Sequence, residues 1–290
     1  MTDLWDRWQS GGELIDVAVR GVTRRIFVRT TGSGPVVVLL HGFPSSSLEW
    51  SGIEPALAAE RTVLSVDFLG YGASEKPPGH RYSIFEQADL VAGVLAARGI
   101  ARAHIAAYDY GGIVLSELLA RGAAAGFEPT GATFLNGGLI AEHYRPRLVQ
   151  RAALVPGLGR LLARAYTESV FVRSWAEVFS AEHPLDRDLA ATHYRALRSG
   201  DPDGDVHRRL LAYIPERAAH RERLERAIFG TEAPVSFLWG MRDPVSGAHM
   251  ATAITERSPS ADLVEYPDAG HCPHLEIPHR VAADLLARTS

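Results

Sequence analysis

Four short segments hold residue types that can attack, protonate or orient. The first is Ala107-Tyr108-Asp109-Tyr110-Gly111-Gly112. A buried strand is expected to end and a helix to begin there, with small residues two before and two after Asp109. That is the setting of a nucleophile elbow, with a carboxylate where serine usually stands. Such a turn lifts the side chain clear of a sheet and sets it at a helix N-terminus, where unpaired N–H groups favour an anion. The competing reading is a simple helix N-cap.

The second segment, His41-Gly42-Phe43-Pro44, follows the apolar run Val36–Leu40. Gly42 would let the backbone turn so that the Phe43 N–H points into the site. Together with the Tyr110 N–H it would form a two-donor oxyanion hole. An ordinary strand-exit turn is the alternative, and His41 reads as a scaffold histidine that bonds the loop. The third, Trp239-Gly240-Met241-Arg242-Asp243-Pro244, offers Asp243 at the carboxyl end of a strand. Ligand sites of open α/β sheets gather at that edge, although Asp-Pro also opens plain turns. The fourth, Asp268-Ala269-Gly270-His271-Cys272-Pro273-His274, puts His271 on a loop beyond the last strand. A surface-loop histidine is the bland alternative. His274 reads as a structural hydrogen-bonding residue. A metal pair of His271 and His274 has no further ligand at recognisable spacing, so no metal is expected.

Strands must carry these segments to one edge. Residues 13–20 and 24–30 alternate apolar and polar, as a half-buried hairpin does, and Gly32-Ser33-Gly34-Pro35 is a turn. Val36–Leu40 is continuously apolar, as in a strand covered on both faces. Thr62–Val66, 104–107, 132–135 and 235–238 look alike. Ser83-Ile84-Phe85-Glu86 is a capping box opening a helix over 84–98, closed by Gly99, and 111–121 is a second helix. The alternation stops near Leu139. From there to about Phe229 the pattern is helices joined by loops, at Pro156-Gly157-Leu158-Gly159 and Ser199-Gly200-Asp201-Pro202-Asp203-Gly204. Strands 235–238 and Asp262–Tyr266 and a helix near 281–288 complete the chain. The expectation is an α/β-hydrolase fold: a mostly parallel sheet with helices on both faces and an inserted helical cap. Residues 1–138 and 230–290 would form the core, and 139–229 the cap or lid.

Composition narrows the setting. Of the 290 residues, 46% are hydrophobic and 22% charged, as in an average globular protein and unlike a disordered chain. No apolar run approaches the about 18–20 residues of a membrane span. Acids stand near the N-terminus where a signal peptide would have bases, and the single cysteine, Cys272, has no internal partner. A reducing, cytoplasmic location is expected. The net charge of -4 argues against nucleic acid as a partner. The Arg-rich stretch 217–226 reads as a solvated helix face.

Asp109, Asp243 and His271 follow one another in the order nucleophile, acid, base, which is that of α/β-hydrolases. At this point the chain resembles the epoxide hydrolase and haloalkane dehalogenase group, which uses an Asp nucleophile. Within that group it looks like the mesoderm-specific transcript proteins and their bacterial relatives. The segments that carry this are His41-Gly42-Phe43-Pro44, Asp67-Phe68-Leu69-Gly70-Tyr71-Gly72, Ser74-Glu75-Lys76-Pro77, Tyr82-Ser83-Ile84-Phe85-Glu86-Gln87-Ala88 and Asp109-Tyr110-Gly111. Asn136-Gly137-Gly138, Arg145-Pro146, Tyr213-Ile214 and Asp243-Pro244 complete the set.

The resemblance implies a cofactor-independent hydrolase that passes through an alkyl-enzyme ester. Asp109 would attack, His271 would activate water, and Asp243 would orient His271. Opening an epoxide needs a proton donor, which family members take from cap tyrosines. Tyr213 matches the motif, with Tyr166 or Tyr194 as its partner. The insertion also holds Tyr144, and packing is the alternative for each. Haloalkane dehalogenases carry Asn where Phe43 stands and Trp where Tyr110 stands; neither donor is present. The expected activity is therefore an epoxide hydrolase that turns a small apolar substrate into a diol. A haloalkane dehalogenase-like hydrolase and a catalytically retired binding module are the alternatives. A homodimer is left open, and the side-chain role of Tyr110 is left unassigned.

Overall fold

The computed structural model describes residues 3–144, 148–155 and 157–289. Arg145-Pro146 of the motif set and Pro156 of the expected loop lie outside the described residues.

Eight strands form one sheet: β1 (Glu13–Val19), β2 (Val22–Gly32), β3 (Val36–Leu40), β4 (Thr62–Val66), β5 (Arg102–Tyr108), β6 (Glu128–Leu135), β7 (Val235–Gly240) and β8 (Asp262–Tyr266). Their order is β1-β2-β4-β3-β5-β6-β7-β8. The pairs β1/β2 and β2/β4 are antiparallel, and every later pair is parallel. Alternation along each strand divides the core in two. Val38, Leu40, Leu64 and Val66 join one apolar cluster, with the helices Ile84–Ala97 and Tyr110–Arg121. Val37, Leu39 and Val63 join the other, with the helix Pro278–Leu286. Burial on both faces is why β3 reads as an unbroken apolar run and β4 as one interrupted only by Thr62 and Ser65.

Strand order reverses at β3, whose neighbours are β4 and β5. The carboxyl ends of β3 and β5 therefore flank the crevice where ligands bind in open α/β sheets. The Phe43 loop leaves one of these ends and Asp109 the other.

Between β6 and β7 the described residues form helices and no strand, from Leu148–Ala153 to Arg221–Gly230. Leu158 and Gly159, expected in a loop, instead open the helix Leu158–Arg164. The Arg-rich stretch is not one solvated face. It breaks at His220 into the helices Tyr213–Ala219 and Arg221–Gly230, and Arg217 is buried.

The capping box forms by half. The Phe85 N–H donates to Ser83 Oγ, but Glu86 turns to His80 Nε2 at 2.7 Å. Ser83 Oγ donates to Glu216 of the insertion at 2.7 Å, so this helix start is tied to the segment above it. Gly99, at φ 65, closes the helix as expected. The sequence reading missed the helix Leu4–Ser10, capped by Asp3. Its Trp5 and Trp8 pack with Phe27 and Leu48 of the sheet region and with Ala196 of the insertion. No helix among the described residues is long and apolar enough to cross a membrane.

Candidate active site

Asp109 stands between β5 and the helix Tyr110–Arg121 at φ 46, ψ -107, a conformation that non-glycine residues rarely adopt. The turn is tight: a Cβ on residue 111 would lie 2.5 Å from the Leu40 carbonyl oxygen, so only glycine fits. The Asp109 N–H reaches the Asn136 carbonyl at 3.0 Å, tying the elbow to the exit of β6. The side chain makes no capping hydrogen bond to its helix. Instead the Phe43 N–H donates to Asp109 Oδ2 at 3.1 Å, and the Tyr110 N–H supports the same carboxylate. Burial raises the Asp109 pKa against the opposing pull of His271 and the two N–H groups.

The other carboxylate oxygen, Oδ1, lies 3.8 Å from His271 Nε2. His271 Nδ1 donates to Asp243 Oδ2 at 2.7 Å, which leaves Nε2 facing Asp109. Asp243 is fully engaged. Its Oδ2 also accepts Ser246 Oγ at 2.6 Å and Asn136 Nδ2 at 3.0 Å, and its Oδ1 accepts the Val245 N–H at 2.7 Å. Burial alone would lift Asp243, but His271 and these donors hold it at about 2. Burial would lower His271, but the Asp243 carboxylate and the charges of Asp109 and Glu276 raise it to about 9. The structure thus brings together the three residues that the sequence singled out.

Other expectations divide. His41 does bond the loop: its Nε2 accepts the Phe68 N–H at 3.1 Å and its Nδ1 meets the Gly42 carbonyl at 2.9 Å. His274 corrects its assignment, since neither ring nitrogen makes a hydrogen bond. The ring packs between Trp50 and Tyr108, at 4.7 and 4.3 Å between centroids. Burial pushes its pKa down to about 3 and that of Glu49, 3.7 Å away, up to about 8. No group of three metal-ligating side chains occurs among the described residues.

A cavity of about 250 Å³ opens over Asp109, Phe43 and His271. Its upper wall comes from the insertion and is mostly apolar, with Leu162, Phe171, Trp175 and Leu211. Tyr213, Tyr166 and Tyr144 also line it. Tyr194 does not; its hydroxyl donates to the Tyr166 carbonyl at 3.1 Å, which removes it as a proton donor. Tyr166 stacks on His207 at 4.5 Å between centroids. The hydroxyl partner of Tyr213 is Tyr144, whose own hydroxyl donates to Gln150 Oε1 at 3.4 Å and so leaves Tyr213 as the donor of the pair, and both phenols sense the Asp109 charge. Tyr110 points elsewhere. Its hydroxyl bonds Gln87, and its ring stacks on Tyr71 at 5.7 Å.

A family model described as the alpha/beta hydrolase fold matches residues 35–278. The chain belongs to the α/β hydrolase fold family. It is 36% identical over 283 residues to LipZ of Mycobacterium tuberculosis, whose hydrolase name is provisional, covering 97% of this chain and 96% of that protein. It is 32% identical over 281 residues to the mesoderm-specific transcript homolog protein of Homo sapiens, covering 93% of this chain and 83% of that one. The motif resemblance is thus borne out along nearly the whole chain. Haloalkane dehalogenase DbeA of Bradyrhizobium elkani superposes with a TM-score of 0.79 at 22% identity, covering 96% of this chain and 97% of that one. At that identity the likeness is one of fold.

In this α/β hydrolase, sequence reasoning passed over four contributors. Ser246 and Asn136 bind Asp243. Glu276 accepts the Gly270 N–H at 2.8 Å and the Cys272 N–H at 3.1 Å, bracing the His271 loop from both sides. Tyr144 was noted only as one of the insertion's tyrosines. Its position beside the Arg145-Pro146 motif was the available signal.

Proposed function

We propose that this protein is a hydrolase with Asp109 as its nucleophile, acting on epoxides. One observation carries this reading: the Phe43 N–H holds Asp109 Oδ2, while Oδ1 of the same cavity-lining carboxylate lies 3.8 Å from His271 Nε2. A carboxylate so divided has one oxygen to attack with and one already seated where negative charge will develop.

In the first step Asp109 Oδ1 attacks a ring carbon of the epoxide. The carbon–oxygen bond breaks, and the departing oxygen takes the proton of the Tyr213 hydroxyl, with Tyr144 behind it. This gives an alkyl ester of Asp109. In the second step His271 Nε2 removes a proton from water, and the hydroxide attacks the carbonyl carbon of that ester. The resulting oxyanion on Oδ2 is held by the Phe43 and Tyr110 N–H groups. Its collapse expels the diol, which takes a proton from the His271 imidazolium; the carboxylic acid left on Asp109 then gives up its proton, which returns through water to the Tyr213 phenolate, and both groups are restored. Esterification itself prepares the second step. It removes the Asp109 charge, one of the influences that hold His271 protonated, and so frees His271 to act as a base.

The insertion 139–229 serves as the cap: it supplies the apolar wall, which suits a small apolar substrate, and the phenols. A haloalkane reading keeps one point of support, because Trp175 brings an indole to the cavity wall.

A single turnover with an epoxide such as styrene oxide in oxygen-18 water tests the proposal. The expected result is one labelled oxygen in Asp109 and an unlabelled diol. Diol carrying the label after one turnover, with none in Asp109, would mean direct attack by water and would overturn it.

A further inference from the structure

The helix Tyr213–Ala219 places Tyr213 and Arg217 four residues apart, on one face. Arg217 is 6% exposed. Its Nε has no hydrogen-bond partner, and no carboxylate among the described residues pairs with it. A buried guanidinium without a counter-ion is costly and calls for a compensating contact. Here the contact is an aromatic face: Arg217 Cζ lies 4.1 Å from the centroid of the Tyr144 ring. Such stacking suits the planar, weakly hydrated guanidinium better than an ammonium.

The stack is seated on the turn after β6. A Cβ on residue 138 would lie 2.3 Å from Arg217 Nη1 and 2.4 Å from Tyr144 Cδ2. Gly138 therefore leaves the room that this stack fills. Among the described residues, a small set of groups acts most strongly on the two phenols. Tyr144 meets Asp109, Tyr213, Arg217 and Gln150; Tyr213 meets Tyr144, Asp109 and Arg217, with the Tyr110 ring edge-on at 5.0 Å. Among the described residues, Arg217 is the cation that acts most strongly on both phenols, against the negative charge of Asp109.

We propose that Arg217 is a positioning residue: stacked on Tyr144, it holds the Tyr144–Tyr213 hydroxyl pair toward Asp109 and strengthens that pair as a hydrogen-bond donor to an oxygen in the cavity. The cation favours negative charge on both phenols and opposes the effect of burial and of Asp109. When the substrate oxygen departs with electrons, a neighbour that stabilises phenolate lowers the cost of giving up the proton. The catalytic part of this inference rests on the epoxide reading above. The effect of Arg217 on the phenols does not.

The test uses Arg217→Met, which keeps most of the apolar stem, and Arg217→Lys, which keeps the charge but not the flat stacking surface. Tyrosine labelled with carbon-13 at Cζ lets the Tyr144 and Tyr213 phenols be followed by NMR without substrate. In Arg217→Met the titration of both phenols should start about one pH unit higher than in the wild type, and Arg217→Lys should recover part of that shift. In single turnovers with styrene oxide, Arg217→Met should slow formation of the Asp109 ester about 10-fold or more and leave ester hydrolysis unchanged. Combined with Tyr144→Phe it should add little further loss. Unchanged phenol titration in folded Arg217→Met would overturn the proposal, as would equal slowing of both steps. Gly138→Ala gives a second route, because its methyl group strikes both the Arg217 guanidinium and the Tyr144 ring and disturbs the stack without changing either residue. It too should raise the phenol titration, and wild-type behaviour would overturn the proposal. If the phenols shift as expected but no ester ever forms on Asp109, the epoxide reading fails and the tuning by Arg217 stands.

Discussion

Asp243 Oδ2 and His271 Nδ1 are 2.7 Å apart, and the same Oδ2 accepts Ser246 Oγ and Asn136 Nδ2. One oxygen thus gathers the exits of β6 and β7 and the loop after β8. Donation from Nδ1 sets the ring so that Nε2 turns to Asp109. The pair is a structural anchor and an electrostatic one.

Removing the proposed nucleophile, Asp109, should end turnover without unfolding the chain. Asp109 is buried, carries a strained backbone and has no capping role. Asp109→Ala is therefore expected to keep its melting temperature or raise it slightly, since it relieves a buried carboxylate. Residual epoxide hydrolysis above a few per cent of wild type would contradict the assignment of Asp109. Loss of cooperative unfolding would show that it is structural.

His271→Gln should separate the two chemical steps. Attack by Asp109 does not need the imidazole, but hydrolysis of the ester does. Incubation with an epoxide should leave a stable adduct on the peptide containing Asp109, visible by mass spectrometry. Wild-type diol formation, or no adduct in a folded variant, would refute the role of His271 as the base.

The pH dependence follows from the same pair. The folded pKa of His271, about 9, lies above its unfolded value of about 6.5. Its contribution to stability is therefore complete below pH about 6.5 and is lost as pH rises through about 9. Asp243, at about 2, lies below its unfolded value of about 3.9. Its contribution holds above pH about 3.9 and is lost as pH falls through about 2. Asp243→Asn should cost a few kcal/mol near neutrality, and denaturant titrations should show this difference shrinking toward pH 9. A constant difference between pH 6 and pH 9 would deny the coupling. Hydrolysis of the Asp109 ester should rise with pH about a midpoint below 9, because the ester no longer supports the imidazolium.

The tyrosines give a contrast. Tyr213→Phe should slow ester formation by about 10²–10⁴-fold, the usual worth of a general acid, and leave ester hydrolysis nearly unchanged. Tyr110→Phe loses only a buried hydrogen bond to Gln87 and should cost about 1 kcal/mol of stability. Rapid-quench measurement of both steps distinguishes them. If Tyr110→Phe stops ester formation and Tyr213→Phe does not, the proton donor sits beside the nucleophile.

The sequence by itself determined the parts that local spacing controls. The apolar character of Val36–Leu40 and of most of Thr62–Val66 marked β3 and β4 to the residue, because a strand covered on both faces is mostly apolar even where Thr62 and Ser65 interrupt it. Small residues around Asp109 marked the elbow, because a side chain at residue 111 would strike the Leu40 carbonyl. The chain order of Asp109, Asp243 and His271 marked the site, because each follows a strand that ends at the same edge. Tertiary packing alone decided the rest. Tyr194 and Tyr144 both lie between β6 and β7, and only the packing of segments far apart in the chain turns the first onto a backbone carbonyl and the second toward Tyr213. Tyr110 sits next to Asp109 in sequence, yet its helix aims the ring into the aromatic cluster of Phe68 and Tyr71. Arg217 looked like one arginine of a solvated face and became a buried cation, because the ring that covers it lies on the far side of the insertion. Periodicity tells which face of an element is apolar; which partner meets that face depends on contacts between segments far apart in the chain.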